Sequence, residues 1–136
     1  VGLASVDPEA GRINWIFHTQ DSVLARPVVG ADSTVYFGAY DSNFYALNPD
    51  GSERWRYLTD GKIASGAIIG NEGEVIFVST DHHCHALHPN GAVKWKVDLG
   101  SGFGHVRAPA LAPDGSIIVG AGTNVLALTP EGNLQW

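Results

Sequence analysis

Short apolar runs separated by turn-forming residues recur along the whole chain. In the stretch 26–58, Arg26-Pro27-Val28-Val29-Gly30 is β-branched at its centre. Thr34-Val35-Tyr36-Phe37-Gly38 and Phe44-Tyr45-Ala46-Leu47 are apolar without alternation. Glu53-Arg54-Trp55-Arg56-Tyr57-Leu58 alternates in polarity. Ala31-Asp32-Ser33, Asp41-Ser42-Asn43 and Pro49-Asp50-Gly51 separate these runs. Runs of about five residues bounded by Gly, Pro, Asn and Asp predict an antiparallel meander of four strands, here called a, b, c and d. Strands b and c are apolar on both faces, which predicts burial on both faces, whereas the alternation of d predicts an outer rim. No stretch holds a 3.6-residue period, so essentially no helix is expected.

The pattern repeats. Tyr45-Ala46-Leu47-Asn48-Pro49-Asp50-Gly51 leading to Trp55 returns as His85-Ala86-Leu87-His88-Pro89-Asn90-Gly91 leading to Trp95. It returns again as Leu126-Ala127-Leu128-Thr129-Pro130-Glu131-Gly132 leading to Trp136, and a looser copy runs from Ser5 to Trp15. The tryptophans are therefore spaced by 40, 40 and 41 residues. A strand-rich period of about 40–45 residues is the signature of β-propeller blades. The expected fold is all-β, a partial β-propeller of four-stranded antiparallel blades. Its units are 1–18 (a half blade, strands c and d), 19–58, 59–98 and 99–136. The turns Asp50-Gly51, Asn90-Gly91 and Glu131-Gly132 suit hairpins that need positive φ.

Three and a half blades do not close a ring in which about 4–8 blades are usual. The chain ends on strand d, so the opening c–d pair lacks its a–b partner. Broad apolar blade faces would then meet water. The expected cover is the remaining blades of a longer parent, with self-association as the other route. The chain has no methionine and starts in mid-repeat, which points to a processed piece or an excised fragment.

Composition narrows the function. A net charge of −6 and eight scattered basic residues among 136 argue against nucleic acid, which needs clustered Lys and Arg. No apolar run approaches the ~18 residues of a membrane helix, and no signal-peptide pattern is present. The lone Cys84 excludes an intramolecular disulfide.

Each tryptophan follows a small residue by nine or ten positions: Ser5, Ala46, Ala86 or Ala127. A flat indole on one blade is expected to dock on a shallow small-residue site of its neighbour, so Trp15, Trp55, Trp95 and Trp136 are assigned as docking residues. The stretch from Ser5 to Trp15 resembles the tryptophan-docking motif of quinoprotein propellers, with Ser5 in place of Ala. The later copies resemble the shorter variant found in pyrroloquinoline-quinone-like repeat proteins. The resemblance covers the whole chain and implies the fold. It leaves the chemistry open among quinone-dependent dehydrogenases, outer-membrane assembly lipoproteins and sensor or surface domains. It also implies an extracytoplasmic location.

The densest candidate chemistry is Asp81-His82-His83-Cys84-His85. These types can hold zinc or copper. However, strand alternation puts His83 and His85 on one face and Cys84 on the other. His85 aligns with Tyr45 and Leu126, and Cys84 with Phe44 and Val125, so both read as packing residues. Only His82 and His83 stay as weak metal candidates. The b–c turns and d–a crossings share one end of the blades, where ligands often enter. That end is expected to carry a binding face of Asp41, Asp81, His82, His83, Phe103, His105 and Arg107, the last three on a glycine-rich crossing that holds the insertion in the array. The turns of the opposite end, short and near-identical, are expected to offer packing and little distinguishing chemistry. No catalytic residue is assigned. No cofactor is expected in this segment. Pyrroloquinoline quinone and calcium enter only if the chain is part of a dehydrogenase, and the chain lacks the vicinal cysteine pair that such a resemblance implies. The leading expectation is a non-catalytic scaffold for a protein or surface ligand, with the dehydrogenase segment and the metal module as alternatives.

Overall fold

The computed structural model describes residues 1–101 and 107–136. Thirteen strands and no helix occur among them. They are β1 (Gly2–Val6), β2 (Ile13–His18), β3 (Val28–Val29), β4 (Val35–Gly38), β5 (Asn43–Leu47), β6 (Glu53–Leu58), β7 (Ile68–Ile69), β8 (Val75–Val78), β9 (His83–Leu87), β10 (Val93–Asp98), β11 (Ala110–Leu111), β12 (Ile117–Ala121) and β13 (Asn124–Leu128). They form four antiparallel meanders in chain order: β1-β2, β3-β4-β5-β6, β7-β8-β9-β10 and β11-β12-β13. The partial propeller expected from the repeat is the observed fold.

Two elements are shorter than the sequence suggests. The a strands β3, β7 and β11 have only two residues each. Pro27, which has no N–H to give a ladder, stands just before β3. The fourth strand of the last sheet is reduced to a bridge between Leu128 and Leu134, with Gln135 N–H donating to Ala127 O and Ala127 N–H donating to Trp136 O.

The core lies between sheets. Strands β4, β5, β8 and β9 are buried almost throughout, while β6 alternates exposed and half-buried. Leu3, Trp15 and Phe17 of the first sheet pack on Phe37, Tyr45 and Leu47 of the second. Phe44 and Phe77 stack across the next interface with centroids 4.0 Å apart. Ile76, Val78, Cys84 and Ala86 meet Ile117, Val119 and Leu128 across the third.

A bulge precedes three of the tryptophans. Leu47 pairs with Glu53 and Ala46 with Trp55, so Arg54 is the extra residue; Lys94 and Asn14 are its counterparts. Such a bulge re-aims side chains. It sends Arg54 Nη1 to Asp32 (2.9 Å) and Thr34 (2.8 Å), and Lys94 Nζ to Glu72 (2.9 Å) and Glu74 (3.2 Å). Each c–d hairpin is thereby clipped to the a–b turn of its own sheet.

Candidate functional site

The tryptophans dock as a repeated device, but not on the residues expected. Ser5, Ala46 and Ala86 are the cross-strand partners of Trp15, Trp55 and Trp95 within the same sheet. The expectation that each small residue belongs to the adjacent blade is corrected accordingly. A small partner on strand c leaves room for the indole over its own sheet, where Trp55 meets Tyr36 at 5.8 Å and Phe44 at 6.4 Å. The neighbouring sheet supplies the c–d turn. Trp15, Trp55 and Trp95 donate Nε1–H to the carbonyls of Pro49, Pro89 and Pro130 at 3.0, 2.9 and 2.9 Å. Gly51, Gly91 and Gly132 lie under the rings at φ 86°, 89° and 83°, and a Cβ there would sit 2.6–2.9 Å from the indole. Trp136 holds the same register beside Ala127, yet its residue surface is 66% exposed.

The b–c turns are built on their aspartates. Asp41 Oδ1 accepts the Asn43 N–H (3.0 Å), and Oδ2 accepts the Tyr45 hydroxyl (2.7 Å) and the Gln20 N–H (3.1 Å). Burial alone would raise this carboxyl, but those donors hold it below the usual range. Asp81 repeats the arrangement with a histidine in place of the tyrosine. Its Oδ1 accepts the His83 N–H at 3.0 Å, and its Oδ2 lies 3.1 Å from His85 Nε2. His85 Nδ1 faces the Tyr57 hydroxyl at 3.5 Å. A neutral imidazole protonated on Nε2 fits both contacts. The His85 ring stacks on Phe77 at 5.1 Å, as Tyr45 stacks on Phe37 at 5.2 Å. The side chains of Asp81 and His85 are 3% and 0% exposed. Burial pushes the imidazole below its ordinary pKa, against the pull of Asp81.

Ser42 and His82 share a left-handed backbone, at φ 69° and 68°. Their carbonyls accept the N–H groups of Thr59 and Leu99, which ties each turn to the following crossing. The unusual backbone thus has a structural account in both repeats. His83 donates through Nδ1 to the Asp81 carbonyl at 2.7 Å and keeps 27% of its side chain exposed. Cys84 is fully buried, and burial pushes its thiol up to about 12.

The expected binding face is therefore only partly displayed. Asp41, Asp81 and His83 share one end, but both carboxylates turn inward. Arg107 is exposed. Phe103 and His105 lie outside the described residues. No group of three or more His, Cys, Asp and Glu among the described residues is arranged for a metal ion, so the His82–His83 candidates gain no further ligands there.

The opposite end carries what the sequence reading passed over. A pocket of about 200 Å³ opens between the second and third sheets, lined by Ala31, Asp32, Tyr36, Ile69, Gly73 and Pro89 among others. The a–b turns at this end hold Asp32, Glu72, Glu74 and Asp114, and the c–d turns Asp7, Glu9, Asp50, Glu53 and Glu131. Nine of the fourteen carboxylates thus meet four bases, Arg12, Arg54, Lys94 and the Arg56 that pairs with Glu53, so this end holds −5 of the formal charge of −6. The remainder of the chain is nearly balanced, five carboxylates against four bases. A tally of charge by turn position was the available signal.

Comparison with known proteins agrees with this architecture. No curated protein sequence matches the chain. The structure of BamB from Moraxella catarrhalis superposes with a TM-score of 0.79 at 20% identity, covering 99% of this chain and 45% of that one. Quinohemoprotein alcohol dehydrogenase from Comamonas testosteroni gives 0.71 at 23% identity, covering 85% and 21%. Virginiamycin B lyase from Staphylococcus aureus gives 0.79 at 14%, covering 97% and 46%. At such identities the likeness shows the fold alone, and the chain spans less than half of each of these structures. A family model adds sequence to fold: the one described as outer membrane protein assembly factor BamB matches residues 2–136, and the chain belongs to that family of pyrroloquinoline-quinone-like repeat propellers.

Proposed function

We propose that this chain is part of a non-catalytic propeller scaffold that binds a protein partner outside the cytoplasm. One observation carries the reading. The densest chemistry in the sequence, Asp81 with His85, is closed within the interface between sheets, where its polar atoms hold a turn and a stacked ring. A reacting group needs access to substrate, whereas these groups are spent on rigidity. The family description, an assembly factor for outer membrane proteins, agrees with a role exercised on other proteins and in that location. Loops on a rigid scaffold are where binding residues concentrate. The surface read from the sequence, Asp41, Asp81, His82, His83, Phe103, His105 and Arg107, enters this proposal chiefly through His83 and the crossing that ends at Arg107.

The test is partner binding by the full-length protein, followed by chemical cross-linking and mapping of the cross-links. Two multi-site alanine variants, one for each end of the blades, are compared. Loss of binding in one folded variant supports the scaffold. A parent that binds no protein, or that turns over a substrate through residues of this segment, overturns it.

A further inference from the structure

The pocket at the acidic end has a structural origin particular to one interface. Between the third and fourth sheets, Asn71 of the a–b turn reaches across to Gly115. Its Nδ2 lies 3.1 Å from where a Cβ on that glycine would stand. Between the second and third sheets the corresponding residue is Ala31, and the corresponding glycine is Gly73. Only Pro89 comes within 4 Å of a Cβ placed there, at 3.7 Å. The truncated side chain leaves the space of about 200 Å³ open. Its floor and walls are apolar or aromatic, from Tyr36, Ile69 and Pro89. Trp55, bonded to the Pro89 carbonyl and packed on Tyr36, braces it from behind.

The surroundings of this opening are acidic. Asp32 stands at its edge, and Glu72 is adjacent in the chain to Gly73. Their partners Arg54 and Lys94 are single cations, and Lys94 is shared between Glu72 and Glu74. Most of the carboxylate excess of the molecule lies at this end. Such a field raises the local concentration of cationic ligands and steers them, while a preformed apolar pocket supplies the anchor.

We propose that this opening receives an aliphatic side chain from a basic, Lys- or Arg-rich segment of the protein partner, whose cations lie over the acidic turns. This rests on the scaffold reading and adds the chemistry of the partner and the place where it sits. An acidic or neutral segment is disfavoured by charge. A purely cationic ligand gains the field but forfeits the pocket.

The probes are a lysine-rich peptide with one central leucine, the same peptide with asparagine in place of leucine, and spermine. Binding is read by calorimetry and by tryptophan emission at two salt concentrations. The leucine peptide is expected to bind at least about tenfold more tightly than the other two, with affinity falling as salt rises. Ala31→Asn fills the opening with the side chain this molecule already uses at the next interface, so the fold should survive. It is expected to weaken the leucine peptide to the level of the asparagine peptide. Asp32→Asn combined with Glu72→Gln leaves the opening intact and should flatten the salt dependence. Equal binding of all three probes, no binding of the leucine peptide, or full binding by Ala31→Asn overturns the proposal. If the full-length protein still binds its partner when Ala31 is replaced by Asn, this site falls and the scaffold stands. If the unaltered protein binds no partner, the scaffold itself falls.

Discussion

At the scale of single residues, similar positions carry different chemistry in a common frame. Asp41–Tyr45 and Asp81–His85 occupy matching places, each with its ring stacked on strand b. Only the histidine titrates near neutrality. The folded His85 lies below its ordinary value of 6.5, because burial disfavours the cation. The unfolded chain therefore takes the proton first. The stabilising contribution is complete above that value and falls as the pH drops below it. Asp81 is also depressed, from 3.8; burial opposes this shift, and His85 and the His83 N–H drive it. Its contribution is present above that value and is lost as pH falls through the folded pKa. Acid should thus weaken the fold in two stages. In His85→Tyr, which copies the Tyr45 pair, the stage beginning near pH 6.5 should vanish from urea-unfolding midpoints measured across pH 4–8. A second prediction concerns Cys84. With its thiol pushed up to about 12 and no exposed surface, it should resist a thiol reagent at pH 8 until the fold opens. Labelling as fast as for a free thiol would contradict this.

At the scale of elements, the bulge before Trp55 and Trp95 joins two tasks. It turns Arg54 or Lys94 toward the acidic a–b turn and sets the indole against the next sheet. Replacing Trp55 with Ala removes a large part of an interface and a bond to Pro89. The expected loss is about 3 kcal/mol, at the low end for a buried aromatic because Trp55 keeps part of its surface in water. Gly91→Ala tests the other half of the contact. The residue has φ 89°, and a Cβ would stand 2.9 Å from the Trp55 ring. Backbone strain alone costs about 1–2 kcal/mol, and displacement of the indole should add to it. Both losses are read from urea denaturation. A loss under about 1 kcal/mol in a folded Trp55→Ala protein would contradict the docking account.

At the scale of the whole molecule, the outer sheets differ from the inner ones. Val6, Ile13 and Ile16 stand exposed on the first sheet, and Val125, Leu134 and Trp136 on the last. On the inner sheets Leu47 and Leu87, the counterparts of Val6, and Phe44 and Cys84, the counterparts of Val125, are buried against a neighbour. The chain on its own is therefore expected to self-associate or to bind a hydrophobic dye. Sedimentation at rising concentration checks this. Serine at Ile16 and Trp136 should shift the distribution toward monomer, and a wild-type chain that stays monomeric and dye-silent would contradict it.

The period of 40 residues, the turn glycines and the two-sided apolar strands b and c were enough to specify the sheets, their strand order and the place of the core. These are local signals, repeated often enough to reinforce one another. The core roles of Cys84 and His85 were legible for the same reason, since each aligned with apolar or aromatic counterparts. Which sheet supplied each half of a tryptophan contact was not legible. Spacing along the chain is equally compatible with a partner in the same sheet or in the next, and only the pairing of Ala46 with Trp55 and the reach of Trp55 to Pro89 separate the two. The inward turn of Asp41 and Asp81 was likewise decided by tertiary packing, because a carboxylate in a turn reads as exposed until the ring beneath it is in place. The pocket beside Ala31 was decided at the same level. It exists because one small side chain fails to span a gap between two sheets, and that gap has no counterpart in either sheet alone.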